Sequence, residues 1–124
     1  MGPYVHRDLT KKWALEAGFS PEEADLIGRA NLDLDTKCWV KPWAHFILFG
    51  ACPICKILAW RARRRRDLRL LGYALHAKQD ALGHGWILPF QHNPSLDEWS
   101  NATEATQKRI ATESQAMLTR YLSI

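Results

Sequence analysis

His76, Asp80 and His84 recur at intervals of four in the stretch LGYALHAKQDALGHGW. On a helix their side chains fall within roughly 80° of one another, on one face. Imidazole nitrogens and carboxylate oxygens are ordinary zinc ligands, so this spacing points to a metal site. Reach then bears on the number of ions. About 12 Å of helical rise separates His76 from His84, whereas a metal–ligand bond spans only about 2 Å. One ion strains to meet both histidines and Asp80. Two ions roughly 3.5–4 Å apart, with Asp80 between them, fit better. A helix break at Gly83 would let His84 swing back and restore a one-ion site. The competing reading of the same residues is a hydrogen-bonded histidine with an i,i+4 His–Asp contact that steadies the helix.

These residues need helices to hold them, and the sequence supplies helical signals throughout. Val5 to Gly18 reads as a first helix with Leu9, Trp13 and Ala17 on one face and Gly18 as its stop. Ser20-Pro21-Glu22-Glu23 combines a Ser cap, a Pro at the first position and a Glu that closes a capping box. The helix it starts is expected to run to about Leu32. Asp33, Asp35 and a turn-like stretch, TKCWVKP, come next. Pro53 opens a helix that carries the RARRRR run, and Leu68 to Leu82 is the clearest helical pattern, with Leu71, Leu75 and Leu82 inward. A capping box at Asn101–Glu104 starts a last helix to about Leu122, with Ile110, Met117, Leu118 and Tyr121 inward. No segment alternates as a strand would. The expectation is an all-α, single compact domain of about five helices over residues 1–124.

Composition narrows the setting. Hydrophobic residues make up 47% of the chain, which argues against disorder. The net charge of +4 is uneven: residues 41–75 hold eight Lys and Arg against the single Asp67, a local +7 that leaves −3 elsewhere. Such a basic segment suits an anionic partner, whether a phosphate, a lipid surface or a nucleic acid. The partner contact is expected through residues 61–69, with Arg64 and Arg65 as substrate-side cations; the plainer reading is a solvated helix face. No apolar run is long enough to span a bilayer, and MGPYVHRDLTKKW lacks the apolar stretch of a signal peptide. A cytoplasmic protein, not transmembrane, is expected. Cys38, Cys52 and Cys55 are too few for a disulfide scaffold, and the lone CPIC pair supplies half of a structural zinc site at most. Trp43 and Trp86 stand near the proposed ligands in sequence and either shape an apolar pocket or fill the core.

The segment ALHAKQDALGHG resembles the His-x-x-x-Asp helix of the zinc-dependent phospholipase C superfamily, which also holds the single-strand-specific zinc nucleases. Further likenesses follow in chain order: His6 as the early histidine, GFSPEEADLIGRANLDLD as the helix before a metal-binding Asp, and WAHF around His45. The likeness covers roughly residues 5–90 and is most specific from His76 to Gly85. It implies an all-α fold with clustered zinc ions that activate water against phosphoester bonds. It also implies that Asp35 (with Asp33 in reserve), His45, His76 and Asp80 hold one ion, and that His6, Asp80 and His84 hold or approach a second. The sequence departs from that pattern. Met1-Gly2 precede His6, where the secreted phospholipases use a free N-terminal Trp. His92 is followed four residues on by Leu96, where they carry a Glu. The interval from Asp80 to His84 is also shorter than theirs. One to three zinc ions are therefore expected, with two favoured.

The function these features imply is a metal-dependent hydrolase of a phosphoester or related polar bond, phospholipase C-like, with Asp80 at the metals and the unliganded one of Asp33 and Asp35 as general base. Two alternatives use the same residues. One is a metal-dependent lyase, cyclase or isomerase acting on a small organic molecule. The other is a non-enzymatic helical module that binds an anionic partner.

Overall fold

A computed structural model describes residues 4–37, 51–84, 99 and 103–123. Among them the chain is helical and holds no strand. The first helical stretch begins as a wide π-helical segment, Tyr4–Leu9, and continues without a break into α1, Thr10–Ala17. Its widening has a local partner: the Thr10 hydroxyl donates to the Val5 carbonyl five residues back, at 2.8 Å. Leu9 and Trp13 are buried, as their spacing predicts. Gly18 closes the helix at φ 116°. There the amide N–H groups of Gly18 and Phe19 both donate to the Ala14 carbonyl, in the left-handed cap that glycine accepts without a Cβ penalty.

Helix α2 spans Pro21–Lys37. Its capping box is formed: Ser20 N–H donates to Glu23 Oε1 at 3.0 Å and Glu23 N–H to Ser20 Oγ at 3.2 Å. The helix runs past Leu32, so Asp33 and Asp35 lie in its last turns and not in a connecting turn. No Gly or Pro stands between Leu32 and Lys37 to stop it.

Helix α3, Ala51–Arg65, and helix α4, Leu68–His84, are joined by only two residues. Arg66 turns the chain at φ 52°. The Asp67 carboxylate then caps α4 by accepting from the Arg69 and Leu70 N–H groups. Helix α4 continues through Gly83 to His84, so the helix break that would return His84 to a one-ion site is not made. Helix α5, Glu104–Leu122, is capped by Thr103, whose hydroxyl accepts from Thr106 N–H at 3.1 Å. The cap thus falls two residues later than the Asn101 start expected from sequence, and Asn101 itself lies outside the described residues.

Val5, Trp13, Ile27, Leu71, Leu75, Ile110 and Leu118 form one core shared by the N-terminal stretch, α2, α4 and α5, with Ala62 joining it from α3. Each fully buried Leu or Ile contributes roughly 1.5–3 kcal/mol. Helix α4 is central. It turns Gly72 and His76 toward α2 and Leu71 and Lys78 toward α3 and α5. Among the described residues no helix is long and apolar enough to cross a membrane.

Candidate functional site

Inside this apolar core sits a polar cluster in which His6, Thr10, Asn31, His76, Gln79 and Ser114 are all fully buried. Five segments contribute: the π-helical stretch, α1, α2, α4 and α5. Two glycines allow them to approach. A Cβ on Gly28 would stand 2.8 Å from the Arg7 carbonyl oxygen, and one on Gly72 would stand 2.7 Å from that of Ile27. Neither space admits a methyl group, so Gly28 draws the His6 segment against α2 and Gly72 draws α4 against α2.

Gln79 is the hub. Its Oε1 accepts from Asn31 Nδ2 at 3.0 Å and faces His6 Nδ1 at 3.0 Å. Its Nε2 donates to Thr10 Oγ1 at 2.9 Å and to Ser114 Oγ at 3.2 Å. Those four bonds use the whole capacity of a carboxamide. Thr10 is equally committed, donating to Val5 and accepting from Asn31 and Gln79. Asn31 Oδ1 faces His76 Nδ1 at 3.2 Å.

The two histidines, 70 positions apart in the chain, are stacked with ring centroids 4.2 Å apart and planes at 26°. Each Nδ1 faces the oxygen of a carboxamide whose nitrogen is oriented by its other bonds. In the neutral ring Nδ1 therefore carries the proton and Nε2 is the basic nitrogen. Because Asn31 and Gln79 are bonded to each other, both rings turn their Nδ1 edges toward one amide pair and their opposite edges away from it.

The structure brings together His6 and His76 of the expected ligands. Asp35 lies one helical turn beyond Asn31 on α2, and Asp80 and His84 lie on α4 one and two turns beyond His76. The side chains of these three, and His45, Trp43 and Trp86 entirely, lie outside the described residues. Asp33 is half-buried and meets Arg69 at 3.7 Å. Arg69 is also held by the Tyr73 hydroxyl, whose hydrogen bond, with further help from Asp33 and Asp67, raises its already high pKa. Among the described residues no three His, Cys, Asp or Glu side chains converge as a metal group would require. Arg64 and Arg65 are exposed on α3, across α4 from the histidines. Sequence reasoning passed over Thr10, Asn31, Gln79 and Ser114. The one available signal was placement: Gln79 lies between His76 and Asp80, and Asn31 lies one turn before Asp35.

With this geometry in view, no protein-family model matches the chain, and no curated protein or solved structure matches it either.

Proposed function

We propose that the chain is a metal-dependent hydrolase of a phosphoester or related polar bond, with zinc-class ions held beside the His6–His76 pair. The anchored histidine pair carries this reading. Metal-binding histidines characteristically donate one ring N–H to a carbonyl or carboxylate oxygen, which fixes the tautomer and aims the other nitrogen. His6 and His76 both have that arrangement, from Gln79 and Asn31 respectively. Their 4.2 Å stacking distance suits one imidazole for each of two ions roughly 3.5–4 Å apart. The donor set of two neutral imidazoles plus carboxylates is a zinc set. In this reading His76, Asp35, His45 and Asp80 would hold one ion, and His6, Asp80 and His84 would hold a second.

When bound, such ions polarise the substrate and lower the pKa of water. The chain's own residues do the positioning. Gln79 and Asn31 hold the two rings in one tautomer and one orientation, and the full burial of all four side chains keeps bulk water from those bonds. Asp33, which Arg69 engages at 3.7 Å, is the carboxylate left for the general base when Asp35 is a ligand. The rival reading is a purely structural polar core, favoured by the fully used hydrogen-bonding capacity of Gln79 and Thr10.

The test is hydrolysis of bis(4-nitrophenyl) phosphate by zinc-loaded protein, with elemental analysis of the wild type beside Asp80→Ala. The wild type is expected to hold metal and release nitrophenolate, and the variant to lose both. Unchanged metal stoichiometry in the variant would refute Asp80 as a ligand. No turnover under any added metal would refute the hydrolase.

A further inference from the structure

The arginine run of α3 divides into two sets with different tasks. Arg63 Nη2 donates to the Ser123 carbonyl at 3.0 Å, and Arg66 Nη1 donates to the Tyr121 carbonyl at 2.9 Å while lying over the Tyr121 ring. These two cations tie the end of α3 to the C-terminal end of α5, where helix carbonyls lack partners within the helix. Arg61, Arg64 and Arg65 turn the other way and are exposed, as is Lys56. Among the described residues no carboxylate pairs with any of these four.

Two large apolar side chains share that outer face. Ile57 is 52% exposed and Trp60 is 59% exposed. At about 100° per residue, Lys56, Trp60, Arg64, Ile57, Arg61 and Arg65 follow one another across roughly half of the helix circumference. The apolar pair is therefore flanked by cations on both sides. Arg64 lies over the Trp60 ring at 5.1 Å. Beside this face, between α3, α4 and α5, opens a groove of about 520 Å³ lined by Leu71 and Met117, with Lys56, Arg63 and Arg120 among its cations.

We propose that the outer face of α3 docks on an anionic lipid bilayer. Exposed cations around exposed Trp and aliphatic side chains are the composition of a helix that lies in the membrane interface. Indole rings settle at headgroup level, and clustered Lys and Arg are drawn to anionic headgroups. Nucleic acid fits less well. Ile57 offers nothing to a phosphate or a base, and Arg64 covers a face of Trp60 that a base would need for stacking. The docking face lies across α4 from the histidines and does not depend on the metal reading.

The test is co-sedimentation with phosphatidylcholine vesicles, with and without a quarter phosphatidylserine, at low and high salt. The wild type is expected to sediment with the anionic vesicles, to remain in solution with neutral ones and to be released by salt. Charge reversal in Arg61→Glu/Arg64→Glu/Arg65→Glu should weaken partitioning at least about tenfold. Ile57→Ser/Trp60→Ser should weaken it even at low salt. A charge-matched control elsewhere, Lys12→Glu/Lys108→Glu/Arg109→Glu, should retain binding. All these side chains are exposed, and native helicity in each variant confirms folding. Four results would overturn the proposal: no sedimentation of the wild type, unaltered binding by the Ser variant, equal loss in the control, or tight binding of a single-stranded oligonucleotide with no vesicle binding.

Discussion

His76 and Arg64 stand on consecutive helices joined by two residues, and both belong to runs of polar residues at helical spacing. Their surroundings differ completely. Around His76 the polar side chains of the described cluster are buried and bonded to one another: Asn31 to Gln79, Gln79 to Thr10 and Ser114, His6 to Gln79. Arg64 is exposed and lies over the exposed Trp60 ring, and among the described residues no carboxylate pairs with it. The difference lies in what each set must satisfy. A buried carboxamide forfeits its solvation and must find partners in the fold, so the inner set is fixed by stability as much as by chemistry. Exposed guanidinium groups remain hydrated and are free to meet an external anion. An inner cluster built this way fixes its side chains in one geometry; an outer face built this way leaves its cations in contact with solvent.

Gln79→Leu leaves His6, Asn31, Thr10 and Ser114 short of a buried partner, and each orphaned group costs about 1–3 kcal/mol. A loss of at least about 3 kcal/mol is expected in urea unfolding. Arg64→Ala, by the same measurement, should fall within about 0.5 kcal/mol of wild type. Comparable losses in both would erase the distinction.

Next in size is Gly72→Ala. The added methyl meets the Ile27 carbonyl oxygen at 2.7 Å and the Ala30 Cβ at 2.8 Å, so α4 must move off α2. Overpacking of this kind costs about 1–3 kcal/mol. The His6–His76 stack should loosen with it, read as faster hydrogen exchange along the Asn31 and His76 turns.

The smallest effect belongs to a surface pair. Lys78 Nζ lies 2.8 Å from Glu113 Oε2. Its hydrogen bond holds the Glu113 carboxyl below the ordinary value of 4.5. A depressed carboxyl stabilises the fold above about pH 4.5, and that contribution fades as pH falls through the lower folded value. Lys78→Met should therefore cost a few tenths of a kcal/mol at neutral pH, because Glu113 is 37% exposed. The gap to wild type should close in acid, which acid titration of both proteins measures.

Much of the frame was legible in sequence because helix ends are written locally. Gly18, the Ser20–Glu23 box and the periodic leucines of α4 require only nearby atoms to act. The end of α2 was not legible: Asp33 and Asp35 look like turn residues, yet α2 continues through both to Lys37. The cap of α5 was misplaced because Asn101 and Thr103 are both good caps and only the chain's approach decides between them. The polar cluster was the least legible. Asn, Gln, Thr and Ser are usually exposed, and nothing local marks Gln79 for burial; its partners lie 35 to 73 positions away. The resemblance named His6 and His76 as ligands of two different ions; the stacking of their rings was not legible, because no local pattern links residues so far apart.

The central claim is that the stacked histidines are metal ligands held in one tautomer by Gln79 and Asn31. Calorimetric titration of zinc into metal-free protein at neutral pH tests it most directly. Saturable uptake of about two ions by the wild type is expected, with a sharp loss of affinity in both His6→Ala and His76→Ala at native helicity. Folded wild-type protein that takes up no zinc, or histidine variants that bind it as the wild type does, would contradict it.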